Sequence, residues 1–254
     1  MNIAIIQAPL QWENPTANRS YFAAQINAMH RKADLIVLPE MFTSGFTMNP
    51  KAVAETMDGE TIQWLRNLAD AHNVAITGSI IIQENNNFYN RLLFVFPAGE
   101  IQHYDKRHLF TLAGEDKVYT AGTQKLIVDY LGWKICPLVC YDLRFPVFSR
   151  NTENYDVLIY VANWPAPRIA AWDALLKARA IENMCYVVGV NRIGVDINKN
   201  EYPGHSQMMN YLGKNMIDPT DQEGVLMATL DRHSLLQTRE KLGFLKDQDS
   251  FTLN

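Results

Sequence analysis

Short apolar runs that stop abruptly at a polar or reactive residue are the feature that most constrains the fold of this chain. The run over 133–139 ends at Cys140, and the run over 33–38 is followed by Pro39 and a single carboxylate, Glu40. Short continuous runs bounded by a breaker are typical of strands that are buried on both faces of a sheet. We therefore expect Cys140 and Glu40 each to stand at the end of a buried strand.

The residues after Cys140 sharpen this expectation. The sequence continues as Tyr141-Asp-Leu-Arg-Phe-Pro146, so the strand is expected to turn into a helix begun by Pro146, whose N-terminus would favour a thiolate. This arrangement is analogous to the nucleophile turn of strand-turn-helix hydrolases. Cys140 is therefore a candidate nucleophile, and a small buried hydrophobic residue is the alternative interpretation of this segment alone.

A third candidate lies in the segment 100–110. This segment alternates like a strand up to about Lys106, which places a lysine at another strand end. A lone strand-end glutamate or lysine is usually solvated, but Glu40, Lys106 and Cys140 together fit one reaction. Glu40 can take the proton from the thiol and give it to a departing amine, and water then completes hydrolysis. Lys106 and the backbone N–H of Tyr141 are candidates to stabilise the oxyanion.

Other cysteine and histidine arrangements fit the sequence less well. Cys136 and Cys140 would share one face of a strand at a separation of roughly 13 Å, which is too far for a disulfide. Cys185 is expected in the core. None of the three cysteines forms a pair separated by two residues, which argues against a disulfide scaffold or a structural zinc site. His108 is the best histidine for an alternative Cys-His mechanism, and His205 is a second one that can approach the pocket.

Common cofactor motifs are absent from the sequence. No two glycines are separated by a single residue, and the chain has no phosphate loop, no Gly-x-Ser-x-Gly turn and no zinc-protease His-Glu motif. We therefore expect neither a metal nor a cofactor.

Composition and charge narrow the choice of partners. The net charge of −4 provides no basic field for nucleic acid or anionic lipid. The N-terminus lacks a basic region, and no apolar run approaches the roughly 20 residues of a membrane span. We therefore expect a cytoplasmic protein that binds neither nucleic acids nor membranes. No linker or repeat is evident, so residues 1–254 are expected to form a single domain.

Strand-like and helix-like segments alternate along the chain, and some strands are joined as hairpins. Expected strands cover 2–8, 74–83, 88–97, 156–162 and 185–191, and expected helices cover 15–32, 61–72 and 169–184. This alternation predicts an α/β layered sandwich of mixed sheets.

Four motifs resemble those of the nitrilase superfamily of carbon-nitrogen hydrolases. They are Leu38-Pro-Glu40, Asp105-Lys106-Arg-His-Leu-Phe110, Val139-Cys140-Tyr-Asp-Leu-Arg-Phe-Pro146 and Ala178-Arg-Ala-Ile-Glu-Asn183, in an order similar to the family's over nearly the whole chain. The resemblance implies a four-layer α-β-β-α sandwich that usually forms a homodimer. It also implies that Glu40, Lys106 and Cys140 are a catalytic triad.

The resemblance carries two further points. It implies that Glu115 orients the lysine and helps to bind the substrate amide, although the adjacent Asp116 is chemically equivalent and a solvated loop is the alternative. One departure is Val147, because many relatives have a glutamate after the Arg-Phe-Pro sequence. How the turn after the cysteine is held therefore stays open.

The run Tyr160-Val-Ala-Asn-Trp-Pro-Ala-Pro-Arg168 resembles the omega-amidase branch of that family. The resemblance implies a substrate that is a short dicarboxylate monoamide such as 2-oxoglutaramate. Aromatic residues near the motifs are expected to enclose a small pocket, and these are Phe42, Phe46, Tyr141 and Trp164. Arg168 is the first candidate to bind the substrate carboxylate and Arg144 the second, while a structural ion pair with a glutamate such as Glu182 is the alternative.

Other activities fit the same residues. A nitrilase, an aliphatic amidase or an N-carbamoyl amidohydrolase would use the same triad, and motifs separate these activities poorly. A Cys-His hydrolase would need His108 rather than Glu40. A catalytically silent partner-binding or redox-sensing protein would not need the three residues, so their joint presence favours an enzyme.

Overall fold

Two six-stranded mixed sheets form the centre of the fold in the computed structural model, which describes residues 1–252. The strands of the first sheet are β1 (Asn2–Gln7), β2 (Leu35–Val37), β3 (Ala75–Glu84), β4 (Asn87–Val95), β5 (Ile101–Asp105) and β14 (Gly224–Thr229). The strands of the second sheet are β6 (Val128–Tyr130), β7 (Trp133–Val139), β8 (Val157–Ala162), β9 (Tyr186–Asn191), β12 (Gln207–Met209) and β13 (Asn215–Ile217). A separate hairpin joins β10 (Ile193–Val195) to β11 (Glu201–Pro203).

Each sheet has three parallel strands at its centre. The strand orders are β14-β1-β2-β3-β4-β5 and β13-β12-β9-β8-β7-β6. The strands β1, β2 and β3 pair in parallel, as do β7, β8 and β9, whereas the outer strands pair antiparallel. Because the carboxyl ends of parallel neighbours lie at one edge of a sheet, residues that follow such strands are brought together.

The helices cover the outer faces of the two sheets. They are α1 (Pro15–Asn27), α2 (Pro50–Val53), α3 (Glu60–His72), α4 (Ile169–Asn183) and α5 (Arg232–Leu242). Phe22 of α1 and Leu65 of α3 pack against the first sheet, and the facing sides of both sheets share a separate core. Trp172 and Leu176 of α4 pack on the second sheet so closely that a Cβ at Gly189 would lie 2.5 Å from Leu176. The predicted four-layer α-β-β-α sandwich is confirmed.

The first helix is shorter than the sequence predicted. It was expected to reach residue 32, but α1 ends at Asn27. Met29 still packs against the core beneath the first sheet, but His30, Arg31 and Lys32 after it are exposed. Most helical stability in proteins comes from packing of an apolar face, and these three residues add nothing to that face, so they do not extend the helix to residue 32.

The expected helix begun by Pro146 is wrong. A five-residue 3₁₀ helix, Cys140–Arg144, begins at the cysteine itself, and Phe145 is extended with φ −113° and ψ 88°. The residue before a proline is pushed towards extended backbone, so Pro146 ends this helix instead of starting one. Arg179 of α4 holds the short helix from behind by donating a hydrogen bond to the carbonyl oxygen of Leu143 at 2.6 Å.

No helix within residues 1–252 combines the length and the apolar character needed to cross a membrane.

Candidate active site

Three strand ends meet at one cavity of about 240 Å³. Cys140 directly follows β7, Lys106 directly follows β5, and Glu40 lies three residues beyond the end of β2. All three side chains line the cavity. The structure therefore brings together the residues that the sequence placed at three separate strand ends.

Cys140 lies at a turn held by a buried carboxylate. Its φ of 43° is in the left-handed region, which is costly for a residue other than glycine. The Asp142 carboxylate accepts hydrogen bonds from the backbone N–H of Val139 at 3.0 Å and from the Tyr104 hydroxyl at 2.8 Å. It also accepts one from the backbone N–H of His108 at 3.1 Å, and His108 Nδ1 lies 2.7 Å from it. These contacts tie the turn to β5 and to the segment after β5.

The environment of Cys140 favours the neutral thiol over the thiolate. Burial raises the pKa of the Cys140 thiol well above its usual range, and the Glu40 carboxylate raises it further. The Lys106 ammonium and the backbone N–H of Asn163 lower this pKa but do not cancel the rise. A thiol in this environment needs a base to remove its proton at the moment of attack.

Glu40 is fully buried and is held by three residues. Its Oε1 accepts hydrogen bonds from Lys106 Nζ and Asn90 Nδ2, both at 2.9 Å. Its Oε2 accepts one from the backbone N–H of Asn163 at 2.9 Å and one from Asn163 Nδ2 at 3.3 Å. A carboxylate with this many donors has a fixed orientation towards the cavity.

Lys106 is clamped between two carboxylates. Its Nζ lies 2.9 Å from Glu40 Oε1 and 2.9 Å from Glu115 Oε2, and the side chain is 1% exposed. Burial alone would lower the pKa of Lys106, but the charges of Glu115 and Glu40 outweigh burial and raise it, so the lysine stays protonated. Burial raises the pKa of Glu115, and Lys106 opposes that rise. Glu115 also accepts a hydrogen bond from the backbone N–H of Phe110 at 2.6 Å.

The lining of the cavity also includes two guanidinium groups that lie on aromatic rings. Arg144 lies over Trp164 at 4.9 Å, and Arg168 lies over Phe110 at 5.2 Å. The Trp164 indole N–H donates a hydrogen bond to the carbonyl oxygen of Arg168 at 2.7 Å, which joins the two arginine segments. Within residues 1–252 neither guanidinium has a carboxylate partner. Phe46 and Tyr141 complete this part of the lining, and Phe46 packs 5.2 Å from Lys106 Nζ.

Comparison with known proteins now assigns the family. The profile of the carbon-nitrogen hydrolase family matches residues 2–240. This chain belongs to the carbon-nitrogen hydrolase family.

Similar proteins match this carbon-nitrogen hydrolase over its whole length. The omega-amidase YafV of Escherichia coli K12 is 45% identical over 255 residues, covering 100% of this chain and 98% of YafV. The 2-oxoglutaramate amidase of Bacillus subtilis is 33% identical over 250 residues and covers 96% of both chains. A crystal structure of XC1258 from Xanthomonas campestris matches this chain with a TM-score of 0.97 at 42% identity, covering 100% of this chain and 99% of that chain. XC1258 is described as a CN-hydrolase superfamily protein with an arsenic adduct in the active site.

Several residues that the sequence suggested for the site lie away from the cavity. Phe42 packs behind the site in the core beneath α1 and α3, so the expectation that it encloses the pocket is wrong. The left-handed Met41, at φ 45°, turns the chain there. His108 stacks on Phe145 at 3.8 Å and contacts Asp142.

The remaining alternatives also lie outside the cavity lining. His205 Nδ1 lies 3.0 Å from an Asp173 carboxylate oxygen. Cys136 and Cys185 are buried core residues. Asp116 is exposed, in contrast to its neighbour Glu115. The glutamate proposed as a structural partner for an arginine of the site, Glu182, pairs instead with Arg179 at 2.9 Å.

Sequence reasoning missed four residues of the site, namely Asn90, Asn163, Asn200 and Tyr202. Asn163 directly follows β8, so the same strand-end argument that found Cys140 applies to it. Asn90 lies inside β4, between Tyr89 and Arg91, and no strand end marks it in the sequence. Asn200 and Tyr202 reach the cavity from the β10–β11 hairpin, and nothing in their local sequence indicates this position.

Proposed function

We propose that this chain is an omega-amidase that hydrolyses the terminal amide of a short dicarboxylate monoamide, such as 2-oxoglutaramate, to the acid and ammonia. One observation carries the proposal: the same small cavity is lined by Cys140, Glu40 and Lys106 and by Arg144 and Arg168, two arginines without a carboxylate partner within residues 1–252. The first group fits cleavage of an amide, and the second fits an anionic end on the same substrate. Two relatives that carry the names omega-amidase and 2-oxoglutaramate amidase support this assignment.

In the proposed acylation step, Glu40 takes the proton of the Cys140 thiol as the sulfur attacks the amide carbonyl carbon. The negative charge that forms on the carbonyl oxygen is stabilised by the Lys106 ammonium and the backbone N–H of Tyr141. Glu40 then gives its proton to the amide nitrogen, the carbon–nitrogen bond breaks, and ammonia leaves. The product is a thioester on Cys140.

In the proposed deacylation step, Glu40 takes a proton from a water molecule as its oxygen attacks the thioester carbon. The carbon–sulfur bond breaks, the proton returns to the sulfur, and the acid is released. Glu115 supports both steps, because its two contacts with Nζ, at 2.9 and 3.0 Å, hold Lys106 beside Glu40. Because the Glu40 carboxylate acts first as the base and then as the acid, the proposed reaction needs no histidine, metal or cofactor.

The anionic end of the substrate is assigned to the two arginines. A guanidinium presents a planar fork of donors that matches a carboxylate. Arg168 is the first choice and Arg144 the second. Phe46, Tyr141 and Trp164 would enclose the carbon chain between the two ends, which matches a substrate of only a few carbon atoms in a cavity of about 240 Å³.

The wider setting of the enzyme is also part of the proposal. We infer that residues 1–254 act as one catalytic domain, as a cytoplasmic homodimer that uses an amide and water and engages neither nucleic acid nor membrane. Exposed apolar side chains such as Val147 and Phe244, 53% and 57% exposed, support association between copies. Light scattering of the purified protein tests the assembly: a mass of two chains is expected, and a monomer at all concentrations would contradict it.

The direct test is ammonia release from 2-oxoglutaramate by the unaltered protein and by Cys140→Ala. Glutamine, a simple nitrile and an N-carbamoyl amino acid serve as comparison substrates, because related hydrolases use the same triad on each of these bonds. Turnover of the keto-amide that Cys140→Ala abolishes is the expected result. Preferential cleavage of the nitrile or the carbamoyl compound would keep the triad and remove the omega-amidase assignment, and silence on all four substrates would contradict both.

A further inference from the structure

Asn163 contributes an unused hydrogen-bond acceptor to the catalytic cavity. The residue lines the cavity and is 5% exposed. Its side-chain nitrogen, Nδ2, donates to the carbonyl oxygen of Glu40 at 2.7 Å and to Glu40 Oε2 at 3.3 Å. Its side-chain oxygen, Oδ1, is buried and has no hydrogen-bond partner within residues 1–252.

The orientation of this amide group is fixed by chemistry. Both Glu40 atoms that Nδ2 contacts are oxygens, and the carbonyl oxygen can only accept a hydrogen bond. Rotating the side-chain amide by 180° would place Oδ1 against that carbonyl oxygen with no hydrogen between them. The unpaired atom is therefore the oxygen, and a buried carbonyl without a donor costs on the order of 1–3 kcal/mol.

The donors available in a substrate decide what this oxygen can bind. In 2-oxoglutaramate the carboxylate, the keto group and the amide carbonyl carry only acceptor oxygens, and the sole hydrogen-bond donors are the two N–H groups of the terminal amide. That nitrogen must also lie beside Glu40, because Glu40 is the group proposed to protonate it. Asn163 contacts Glu40 through three hydrogen bonds, at 2.9, 2.7 and 3.3 Å, and so adjoins this position.

We propose that Asn163 Oδ1 accepts a hydrogen bond from the amide nitrogen of the substrate and makes the enzyme selective for amides over esters of the same acid. This assignment rests on the proposed omega-amidase function. The contact orients the nitrogen towards Glu40 during acylation and is lost when ammonia departs. An ester or a nitrile leaves Oδ1 unpaired in the closed site, because neither has an N–H group at the corresponding atom.

The test compares two substrates, 2-oxoglutaramate and the 5-methyl ester of 2-oxoglutarate. Both give the same acid, but they release different leaving groups. Asn163→Ala removes the acceptor, but it also loosens Glu40, which slows cleavage of both substrates. Asn90→Ala is the matched control, since Asn90 donates to Glu40 Oε1 at 2.9 Å but is not part of the cavity lining. Asn163→Ser is a second variant with a smaller change, and thermal unfolding of each variant shows that it is folded.

The ratio of kcat/KM for the amide to kcat/KM for the ester is the deciding quantity. In both Asn163 variants this ratio is expected to fall by about five- to tenfold, because only the amide substrate loses a hydrogen bond. In Asn90→Ala the ratio is expected to stay as in the unaltered enzyme while both rates fall. An unchanged ratio in the Asn163 variants would overturn the assignment and leave the omega-amidase function intact. Absence of ammonia release by the unaltered enzyme would overturn the function, and the assignment with it.

Discussion

Two groups of charged side chains lie at the cavity, and they are arranged in opposite ways. Lys106, Glu40 and Glu115 are buried, and Lys106 bonds both carboxylates at 2.9–3.0 Å. Arg144 and Arg168 are partly exposed, pack on aromatic rings and have no carboxylate partner within residues 1–252. The buried cluster keeps its geometry without a ligand, whereas the two arginines remain available to a substrate anion. This difference supports the proposal that one region performs the reaction and the other selects the substrate.

The largest effect on turnover is expected from Glu40→Gln. Loss of the base should lower kcat for 2-oxoglutaramate by about 10²- to 10⁴-fold. The same change removes a negative charge that raises the pKa of Cys140, so that pKa should fall. Alkylation of Cys140 by iodoacetamide should therefore shift to lower pH in the variant, because more thiolate is present at a given pH. Normal turnover, or a shift of alkylation to higher pH, would contradict the role given to Glu40.

The buried cluster can be broken by Lys106→Met. This change leaves Glu40 and Glu115 buried without their cation, which should lower the free energy of unfolding by about 3–5 kcal/mol. Lys117→Met, at an exposed lysine of the same segment, is the matched control and should leave the free energy of unfolding nearly unchanged. Denaturant unfolding of the two variants measures the difference, and equal stabilities would show that the cluster does not depend on its cation.

Replacing Arg168 or Arg144 should weaken substrate binding and leave the free energy of unfolding nearly unchanged. Arg168→Ala should raise KM for 2-oxoglutaramate by about tenfold or more, the loss of a charge-assisted hydrogen bond, and change KM for butyramide little. Arg144→Ala, assayed in the same way, ranks the two candidates. Equal losses on the charged and the neutral amide would remove both arginines from carboxylate binding.

The smallest effect is expected where only part of a larger set of hydrogen bonds is removed. Tyr104→Phe takes away one donor to Asp142 and the acceptor of the Arg107 backbone N–H, while the Asp142 carboxylate keeps its contacts with Val139 and His108. The free energy of unfolding should fall by about 1 kcal/mol and kcat by a few-fold, measured by denaturant titration and steady-state assay. Tyr89→Phe, at a half-buried tyrosine of β4 that does not bond Asp142, is the control. If Tyr104→Phe behaves like this control, the turn is held by other contacts.

The sequence predicts the side chains at strand ends well, because an apolar run bounded by a breaker marks both the strand and the residue that follows it. Glu40, Lys106 and Cys140 were identified in this way, and the alternation of strands and helices predicted the layered fold. Contacts between strands that are far apart in the chain leave no such local signal. The position of Asn90 beside Glu40 depends on the pairing of β4 with β3 and β5.

Local backbone geometry limits prediction in a second way. Phe42 was expected in the pocket, but the left-handed Met41 sends the chain into the core beneath α1. Pro146 was expected to begin a helix, but the 3₁₀ helix Cys140–Arg144 ends before it, and the backbone of the intervening Phe145 is not helical. Arg144 and Arg168 have no carboxylate partner within residues 1–252. This too depends on how the cavity is assembled, and the sequence around each arginine does not predict it.

In the proposed reaction Cys140 carries the acyl group of a dicarboxylate monoamide during turnover. Mass spectrometry of the protein, quenched in acid while it hydrolyses 2-oxoglutaramate, can detect this group. We expect a 2-oxoglutaryl adduct on the peptide that contains Cys140, together with loss of both the adduct and ammonia release in Cys140→Ser. Ammonia release that persists in Cys140→Ser, or an adduct on another residue, would contradict it.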